Sequence, residues 1–271
     1  MTILVTGPSG LVGARLVPRL VEAGLDCRAL VRPGRAAAPA GTTVAGDILD
    51  PASLVEAVTG VSAIVHLAAV FRTPDSDLIW RSNLEGTRNL ISAARAHAPA
   101  VRFIMSSTSN VYDAHGSRPG REDDAAEPRH AYPASKLAAE RELRGSGLDW
   151  SILRFPFVYG DGDGHLEALP AHAIEARWHP AHRLSTIHHR DIFGAVMLAL
   201  DGAMDGRIVN IADEAPTSLY ELAELVGHRI APSAEPLADP WHLHVDASLA
   251  RGLGFRPAVR TVYQAAEEGL L

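Results

Sequence analysis

A short apolar segment followed at once by three evenly spaced glycines constrains this chain more than any other stretch. Residues 3–5 form an apolar run typical of a buried parallel strand, and residues 11–21 carry apolar side chains at helical spacing. Between them stand Gly7, Gly10 and Gly13. A glycine-rich turn at a helix N-terminus offers unpaired N–H groups to an anion and leaves room for a pyrophosphate. The stretch therefore predicts a dinucleotide-phosphate site, with a ligand-free strand-to-helix turn as the alternative.

The overall composition limits the classes of protein and partner. The 271 residues suffice for one large or two small domains, and a net charge of −7 argues against nucleic acid as a partner. The single cysteine, Cys27, excludes a disulfide framework and favours a reducing compartment. Because the chain has no signal peptide and no apolar run of about 18 residues, we expect a cytoplasmic protein with no membrane partner.

Strand-like and helix-like segments alternate along the first 155 residues. The predicted strands are residues 3–5, 27–31, 43–45, 63–67, 102–105 and 150–155, and the predicted helices are residues 11–21, 51–58, 77–98 and 132–143. Alternation at this spacing indicates βαβ units wound right-handed into a parallel sheet. The fold class that it predicts is α/β, a doubly wound, Rossmann-type parallel sheet with a small C-terminal α/β cap.

The alternation becomes less regular after residue 155. Residues 159–187 are rich in glycine, proline and histidine. We expect a dinucleotide-binding domain over residues 1–155, its sheet completed by parts of residues 188–212. The remaining residues, 156–271, would form a small substrate-binding cap interleaved with that domain, over the carboxyl edge of the sheet where such folds bind ligands.

Two side chains four residues apart on a predicted helix, Tyr132 and Lys136, form a candidate acid–base pair. A nearby ammonium favours the phenolate of a tyrosine, whose pKa is ordinarily about 10. A tyrosine tuned in this way can exchange a proton with an alcohol or carbonyl oxygen near neutral pH. Thr108, after a predicted strand, can hold the same oxygen through its hydroxyl. The alternative is a tyrosine–lysine pair on a solvated helix.

Two arginines at the end of the second predicted strand bear on the choice of cofactor. In the common fingerprint, an acid about 20 residues beyond the glycines holds the adenosine ribose. Asp26 has that distance but begins the strand, at the wrong end. Arg32 ends it and Arg35 follows, and guanidinium groups suit a 2′-phosphate. We therefore expect NADP as the cofactor, with NAD as the alternative if both arginines are solvated.

Three motifs in this order, TGPSGLVG, SSTSNVY and YPASK, resemble the extended short-chain dehydrogenase/reductases, in particular the NAD-dependent epimerase/dehydratase family. Weaker counterparts extend the resemblance over nearly the whole chain: GDILD, HLAA, NLEGTRNL, LRFPFVYG, HHRDIFGAVMLAL, NIADE and LGFRP. The resemblance implies a Rossmann-type enzyme that binds a nicotinamide dinucleotide and a small-molecule substrate. It also implies that a homodimer could form through the helices after the fourth and fifth strands.

The resemblance, with the two arginines, implies a cofactor-binding set that runs from the pyrophosphate turn past the adenine to the nicotinamide end: Gly7, Gly10, Leu11, Val12, Gly13, Arg32, Arg35, Asp47, Ile48, Leu67, Ala68, Ala69, Lys136, Pro156, Phe157 and Val158. For Asp47, which would meet the adenine, the alternative is an acid at the N-terminus of the next helix.

The catalytic set that the resemblance implies is Thr108, Tyr132 and Lys136. Tyr132 would be the acid–base, and Lys136 would hold the nicotinamide ribose and lower the pKa of the tyrosine. Thr108 would take the place of the family's catalytic serine or threonine. Asn83 would shape the helix behind the site or serve only in helix packing.

Three departures from the family pattern bear on the substrate. Asp113 stands where the family usually has glycine, and Phe157 replaces an asparagine that contacts the sugar nucleotide. The segment from residue 160 to 188 is also short for that family. We therefore expect a small or apolar substrate and an NAD(P)-dependent oxidoreductase that moves a hydride between nicotinamide and a secondary alcohol or ketone. The alternatives are an epimerase or dehydratase without net redox change, and a non-catalytic NADP sensor.

Six histidines fall within 25 residues and invite a metal interpretation: His165, His172, His179, His182, His188 and His189. Two of them flank Pro180 in a predicted loop, with no acid or cysteine at ligand spacing. Pocket-wall or surface positions fit them better, so no metal site is expected.

Overall fold

Eleven strands and ten α-helices make up the part of the chain that the computed structural model describes, residues 1–36, 40–112 and 115–271. The strands are β1 (Thr2–Thr6), β2 (Asp26–Val31), β3 (Thr42–Ala45), β4 (Ala63–His66), β5 (Arg102–Thr108), β6 (Asp149–Phe155), β7 (Phe157–Tyr159), β8 (Arg183–Leu184), β9 (Thr186–His188), β10 (Arg207–Asn210) and β11 (Thr217–Ser218). The helices are α1 (Gly13–Glu22), α2 (Pro51–Val58), α3 (Ser76–Trp80), α4 (Gly86–His97), α5 (Ala131–Arg144), α6 (His165–Glu175), α7 (His189–Leu200), α8 (Leu219–Leu225), α9 (Ser248–Gly252) and α10 (Val262–Glu267).

Seven strands pair in parallel to form one sheet, in the order β3, β2, β1, β4, β5, β6 and β10. Two small sheets lie outside it, β7 with β9 in parallel and β8 with β11 antiparallel. The strand order runs outward in both directions from the neighbouring strands β1 and β4, so a ligand crevice is expected at their carboxyl ends. The predicted doubly wound parallel sheet is confirmed.

Helices cover both faces of this sheet because successive strand residues point to opposite sides. Ile3 and Val5 of β1 pack in a core with α1 and α7, whereas Leu4 between them packs with α2, α4 and α5 on the other face. A third apolar cluster joins α6, α8 and α10. Among the described helices, none has the length and apolarity needed to cross a bilayer.

The structure differs from the sequence prediction in three places. Strand β5 continues three residues past Met105 because β6 stays paired with it through the last residue, Thr108 opposite Phe155. The single helix predicted over 77–98 is interrupted by a π-helical turn, Arg81–Glu85. The irregular region also contains α6, which begins after the left-handed Gly164 and continues through Pro170.

The three glycines of the first turn are required for different reasons. Gly7 has a positive φ of 69°, and a Cβ there would lie 2.8 Å from the backbone nitrogen of Ala68. At Gly13 a Cβ would lie 2.1 Å from the carbonyl oxygen of Gly7, so only glycine lets α1 approach the turn. At Gly10 the nearest atom would be 3.3 Å away. The protein's own atoms therefore exclude a side chain at Gly7 and Gly13, whereas a methyl group at Gly10 requires a shift of only a few tenths of an ångström.

Gly13→Ala should destabilise the fold, whereas Gly10→Ala should leave it nearly unchanged. The methyl group at Gly13 forces the turn and α1 apart, and overpacking of this kind typically costs about 1–3 kcal/mol. Urea unfolding of both variants and the wild type measures the difference. Equal losses of unfolding free energy in the two variants would contradict this account of the turn.

Candidate active site

Helix α5 carries Tyr132 and Lys136 on the face that it turns toward the carboxyl end of β5. Pro133 lies in its first turn, where a fixed φ suits the start of a helix. Tyr132 is partly buried and Lys136 is only 1% exposed. The predicted pair therefore lies inside the molecule rather than on a solvated helix.

The Tyr132 hydroxyl forms a side-chain hydrogen bond with Thr108, at the end of β5. Burial raises the pKa of Tyr132 to about 12, and the hydrogen bond with Thr108 only partly opposes this. The lowering of this pKa by Lys136 stays a prediction. At neutral pH the side chain is a phenol, which is the form that donates a proton.

Lys136 is the only lysine in the chain, and its Nζ is buried without a hydrogen-bond partner. Burial lowers its pKa from 10.5 to about 8, while the negative charge of Glu140 has the opposite effect. A buried ammonium without an acceptor costs free energy. Ribose hydroxyls are acceptors that would satisfy it, so this orphaned donor fits a dinucleotide.

A series of hydrogen bonds, in which the donor and acceptor of each bond can be assigned, joins the ends of β1 and β4 to the π-helical turn. The Thr87 hydroxyl donates to the carbonyl oxygen of Asn83 at 2.6 Å, so its oxygen accepts from His66 Nε2 at 2.9 Å. Burial and the charge of Lys136 lower the pKa of His66 to about 3, so the ring is neutral. Its Nδ1 therefore accepts from the Thr6 hydroxyl, 2.7 Å away.

The Asn83 side chain clamps the loop after β4 and reaches α5. Its Oδ1 accepts from the backbone nitrogen of Val70, and its Nδ2 donates to the carbonyl oxygen of Val70 at 2.9 Å. The same Nδ2 donates to Ser135 Oγ, which in turn donates to the carbonyl oxygen of Tyr132. Asn83 thus ties the loop to the helix turn that carries the tyrosine, a role beyond helix packing.

A buried ion pair lies below the same end of the sheet. Arg154 binds the Glu140 carboxylate through two nitrogens, at 2.6 and 3.0 Å, and both side chains are at most 3% exposed. Ser107 also donates to Glu140, at 2.5 Å. Arg154 then donates to the Tyr112 hydroxyl. The residues of this ion pair were not singled out from the sequence, although Glu140 follows Lys136 at helical spacing.

At the other end of the crevice, the proposed adenosine contacts lie at the ends of β2 and β3. Arg32 and Arg35 are both exposed in the turn after β2. Asp47 accepts from the backbone nitrogen of Leu49, while Asp50 caps α2. The alternative role of a helix cap therefore belongs to Asp50 and not to Asp47.

The remaining predicted contacts lie along the crevice between these two ends. Leu67, Ala68 and Ala69 follow β4, and Leu11 and Val12 precede α1. Ile48 packs against Gly86, where a Cβ would meet its side chain at 2.6 Å.

Pro156, Phe157 and Val158 follow β6 directly. The Phe157 ring stacks on His165 with centroids 4.3 Å apart. Asp113, the first departure from the family pattern, lies outside the described residues.

The histidines of residues 165–189 serve different contacts. Within the described ranges, no group of three or more histidine, cysteine or acidic side chains is arranged to hold a metal. His188 caps α7, and His189 pairs with Asp163 at 2.8 Å with both side chains buried. His182 Nε2 donates to the carbonyl oxygen of His242 at 3.0 Å, and its ring stacks near Trp178.

Comparison with known proteins identifies the family. The model of the NAD dependent epimerase/dehydratase family matches residues 3–212. A 4-hydroxy-2-methyl-3-oxo-4-farnesyl-3,4-dihydroquinoline-1-oxide ketoreductase of Stigmatella aurantiaca is 30% identical over 244 residues, 83% of this chain and 72% of that protein. A 3-beta-hydroxysteroid dehydrogenase of Mycolicibacterium neoaurum is 30% identical over 257 residues, 83% of this chain and 69% of that protein.

Solved structures are similar to this chain over nearly its whole length. The UDP-glucose 4-epimerase of Brucella ovis in complex with NAD has a TM-score of 0.82 and 26% identity, covering 100% of this chain and 99% of its own. A short-chain dehydrogenase/reductase superfamily protein of Agrobacterium tumefaciens with bound NAD has a TM-score of 0.81 and 27% identity, covering 99% and 95%. The resemblance drawn from the motifs is confirmed: the chain is an enzyme that belongs to the NAD-dependent epimerase/dehydratase family, within the extended short-chain dehydrogenase/reductases.

Proposed function

We propose that this enzyme transfers a hydride reversibly between a nicotinamide cofactor and the secondary alcohol or ketone of a small molecule. The observation that carries the proposal is the buried Lys136 ammonium without a partner, one helical turn from Tyr132. The side-chain hydrogen bond between Tyr132 and Thr108 supports it. The names of the two 30%-identical relatives, a ketoreductase and a hydroxysteroid dehydrogenase, point to the same reaction class.

In this mechanism the cofactor, when bound, supplies or accepts the hydride. Thr108 holds the reacting oxygen through its hydroxyl, and Tyr132 donates its phenolic proton to that oxygen during ketone reduction. Lys136 would hold the ribose hydroxyls of the cofactor, and its positive charge would stabilise the phenolate that forms. In the reverse direction the tyrosine takes the proton back.

The cofactor would lie along the carboxyl edge of the sheet. Gly10 supports this placement, because a glycine in this turn has no Cβ to obstruct the approach of a pyrophosphate. The other proposed contacts follow in order: Gly7, Leu11, Val12 and Gly13 at the pyrophosphate, Asp47 and Ile48 at the adenine, Leu67, Ala68 and Ala69 in the middle, and Pro156, Phe157 and Val158 at the nicotinamide end.

An epimerase without net redox change is the second candidate, because a UDP-glucose 4-epimerase of Azospirillum brasilense is 32% identical over 172 residues. Phe157 and the short segment 160–188 favour the oxidoreductase. The absorbance of the reduced cofactor, followed with substrate in excess, distinguishes the two candidates. An oxidoreductase changes this absorbance, whereas an epimerase leaves it constant. A non-catalytic sensor would bind the cofactor and turn over nothing.

Further features remain predictions from the sequence. We propose that residues 156–271 contain the substrate-binding cap beside a dinucleotide-binding domain over residues 1–155. A homodimer and a cytoplasmic location are proposed on the same basis.

Tyr132→Phe should abolish turnover and leave cofactor binding nearly unchanged, because only the hydroxyl that acts on the reacting oxygen is lost. General acid–base catalysis contributes about 10²–10⁴-fold. Steady-state kinetics, with calorimetric titration of the cofactor as the control, measure the two effects. A loss of only a few-fold in kcat would contradict the role assigned to Tyr132.

Lys136→Met should abolish turnover yet stabilise the fold at pH 7. The folded-state pKa of Lys136 lies near 8, below its ordinary 10.5, so the charged form is disfavoured by folding. The cost, on the order of 3 kcal/mol, is fully present below pH 8 and fades as the pH rises toward 10.5.

Urea unfolding at several pH values tests this, with Arg141→Met, an exposed cation on the same helix, as the control. The stability advantage of Lys136→Met over the wild type should shrink above pH 8. A variant that is less stable than the wild type at pH 7 would refute the account of an uncompensated buried charge.

We propose NADP as the preferred cofactor, because Arg32 and Arg35 stand exposed where a 2′-phosphate would lie. One or two charge-assisted hydrogen bonds, each about 1.5–3 kcal/mol, predict a preference over NAD of roughly ten- to several-hundred-fold. Dissociation constants for NADPH and NADH, on the wild type and on the double variant Arg32→Ala/Arg35→Ala, measure it. Equal wild-type affinities, or a preference that survives in the double variant, would overturn this assignment.

A further inference from the structure

Two aromatic pairs lie near the candidate site: Phe71 contacts Tyr132, and Phe157 follows Phe155, which is paired with Thr108 at the end of β5. Phe71, in the loop after β4, lies 5.5 Å from the tyrosine ring and is 40% exposed. Phe157, at the start of β7, stacks on His165 at 4.3 Å with an interplanar angle of 29°. Large apolar rings left in contact with solvent beside a reacting group are typical of a binding site for another apolar ring.

Arg72 joins the two pairs. Its guanidinium carbon lies 5.2 Å from the centre of the Phe71 ring, and its charge is close enough to His165 to lower the pKa of that histidine. The residue adopts a left-handed φ of 50°, which is costly for a side chain other than glycine. Among the described residues, no acid forms an ion pair with Arg72. Arg72 therefore places a cation without an ion-pair partner beside the Phe71 ring.

The His165 ring, stacked on Phe157, is uncharged. Its Nδ1 lies 2.7 Å from the carbonyl oxygen of Val158, and a carbonyl can only accept, so Nδ1 carries the proton. Burial lowers the pKa of His165 to about 4, and the ring is neutral under ordinary conditions. Arg72 thus supplies a positive charge near both pairs, while the Asp163 carboxylate, whose charge also acts on His165, is paired with His189.

We propose that the substrate is a planar aromatic ketone, or the corresponding alcohol, that carries a carboxylate or similar anionic group. Its ring would lie between Phe71 and the Phe157–His165 stack, with its anionic group on Arg72 and its carbonyl oxygen at Tyr132. This inference rests on the proposed function, since Tyr132 marks the reacting oxygen. A sugar would find benzyl side chains at positions 71 and 157, and neither can form a hydrogen bond.

Three ketones of similar size test the substrate class with NADPH and the wild-type enzyme. Acetophenone should have a kcat/KM about 10-fold or more above that of cyclohexyl methyl ketone, which has the same carbon count but a puckered ring. 4-Acetylbenzoate should exceed acetophenone by about 10-fold because of its carboxylate. Equal values for the aromatic and the saturated ketone would overturn the aromatic clamp.

Variants assign the selectivity to residues. Phe71→Ala and Phe157→Asn should each reduce the preference for acetophenone over the saturated ketone, and Arg72→Ala should remove only the preference for 4-acetylbenzoate. Tyr220→Ala, at a side chain 41% exposed on α8, is the control for Phe71. Arg177→Ala is the control for Arg72, because Arg177 is exposed with a φ of 54°. Unchanged selectivity in all three clamp variants would refute the proposal.

A binding measurement separates the clamp from the proposed reaction. Saturation-transfer NMR of 1-naphthoate with the cofactor-saturated enzyme should show binding that weakens in Arg72→Ala and in Phe71→Ala. Binding without turnover of any ketone would support the clamp and overturn the hydride-transfer function. Turnover of ketones without detectable binding of 1-naphthoate would support the function and overturn the clamp.

Discussion

The orientation of one buried ring, His66, decides how the carboxyl edge of the sheet is held. Because the Thr87 hydroxyl donates its hydrogen bond to the carbonyl oxygen of Asn83, each later hydrogen bond in the series has only one possible direction. The series ends at Thr6, whose oxygen accepts from the backbone nitrogen of Ala68. Strand β1, the loop after β4 and the π-helical turn are thereby fixed to one another. A flipped His66 ring would break both of its contacts at once, whereas protonation would remove only the acceptor at Nδ1 and leave Nε2 donating to Thr87.

Helix α5 turns a polar stripe inward, which is unusual for a helix packed on a sheet. Tyr132, Ser135, Lys136 and Glu140 recur at intervals of three and four residues, so they share one face. Glu140 is neutralised by Arg154, whereas Lys136 has no partner of its own. The buried ion pair therefore leaves one positive charge in the crevice. Stability is given up at the position where the proposed chemistry needs a cation, as is common at functional sites.

The sequence predicted those features that depend on neighbours within a few residues. The glycine turn, the Tyr132–Lys136 spacing and the alternation of strands with helices are local, and the parallel sheet follows from them. The hydrogen bonds of His66 join it to Thr6, 60 residues away, and to Thr87, 21 residues away. No short segment of the sequence therefore shows this network. The π-helical turn was hidden because its residues have ordinary helical character. Phe71 and Arg72 were missed because their significance comes from the ring of Tyr132, far along the chain.

Lysine is rare in this chain, and the one lysine present lies in the candidate site. Of the 25 basic side chains counted as lysine or arginine, Lys136 alone is an amine. Apart from an α-amino group, an amine-directed reagent has one target, Lys136, whose Nζ is closed to solvent in the folded chain. Acylation or reductive alkylation of Lys136 would therefore report on opening of the structure around helix α5. Immobilisation through surface lysines, routine for most proteins, has no exposed lysine to use here.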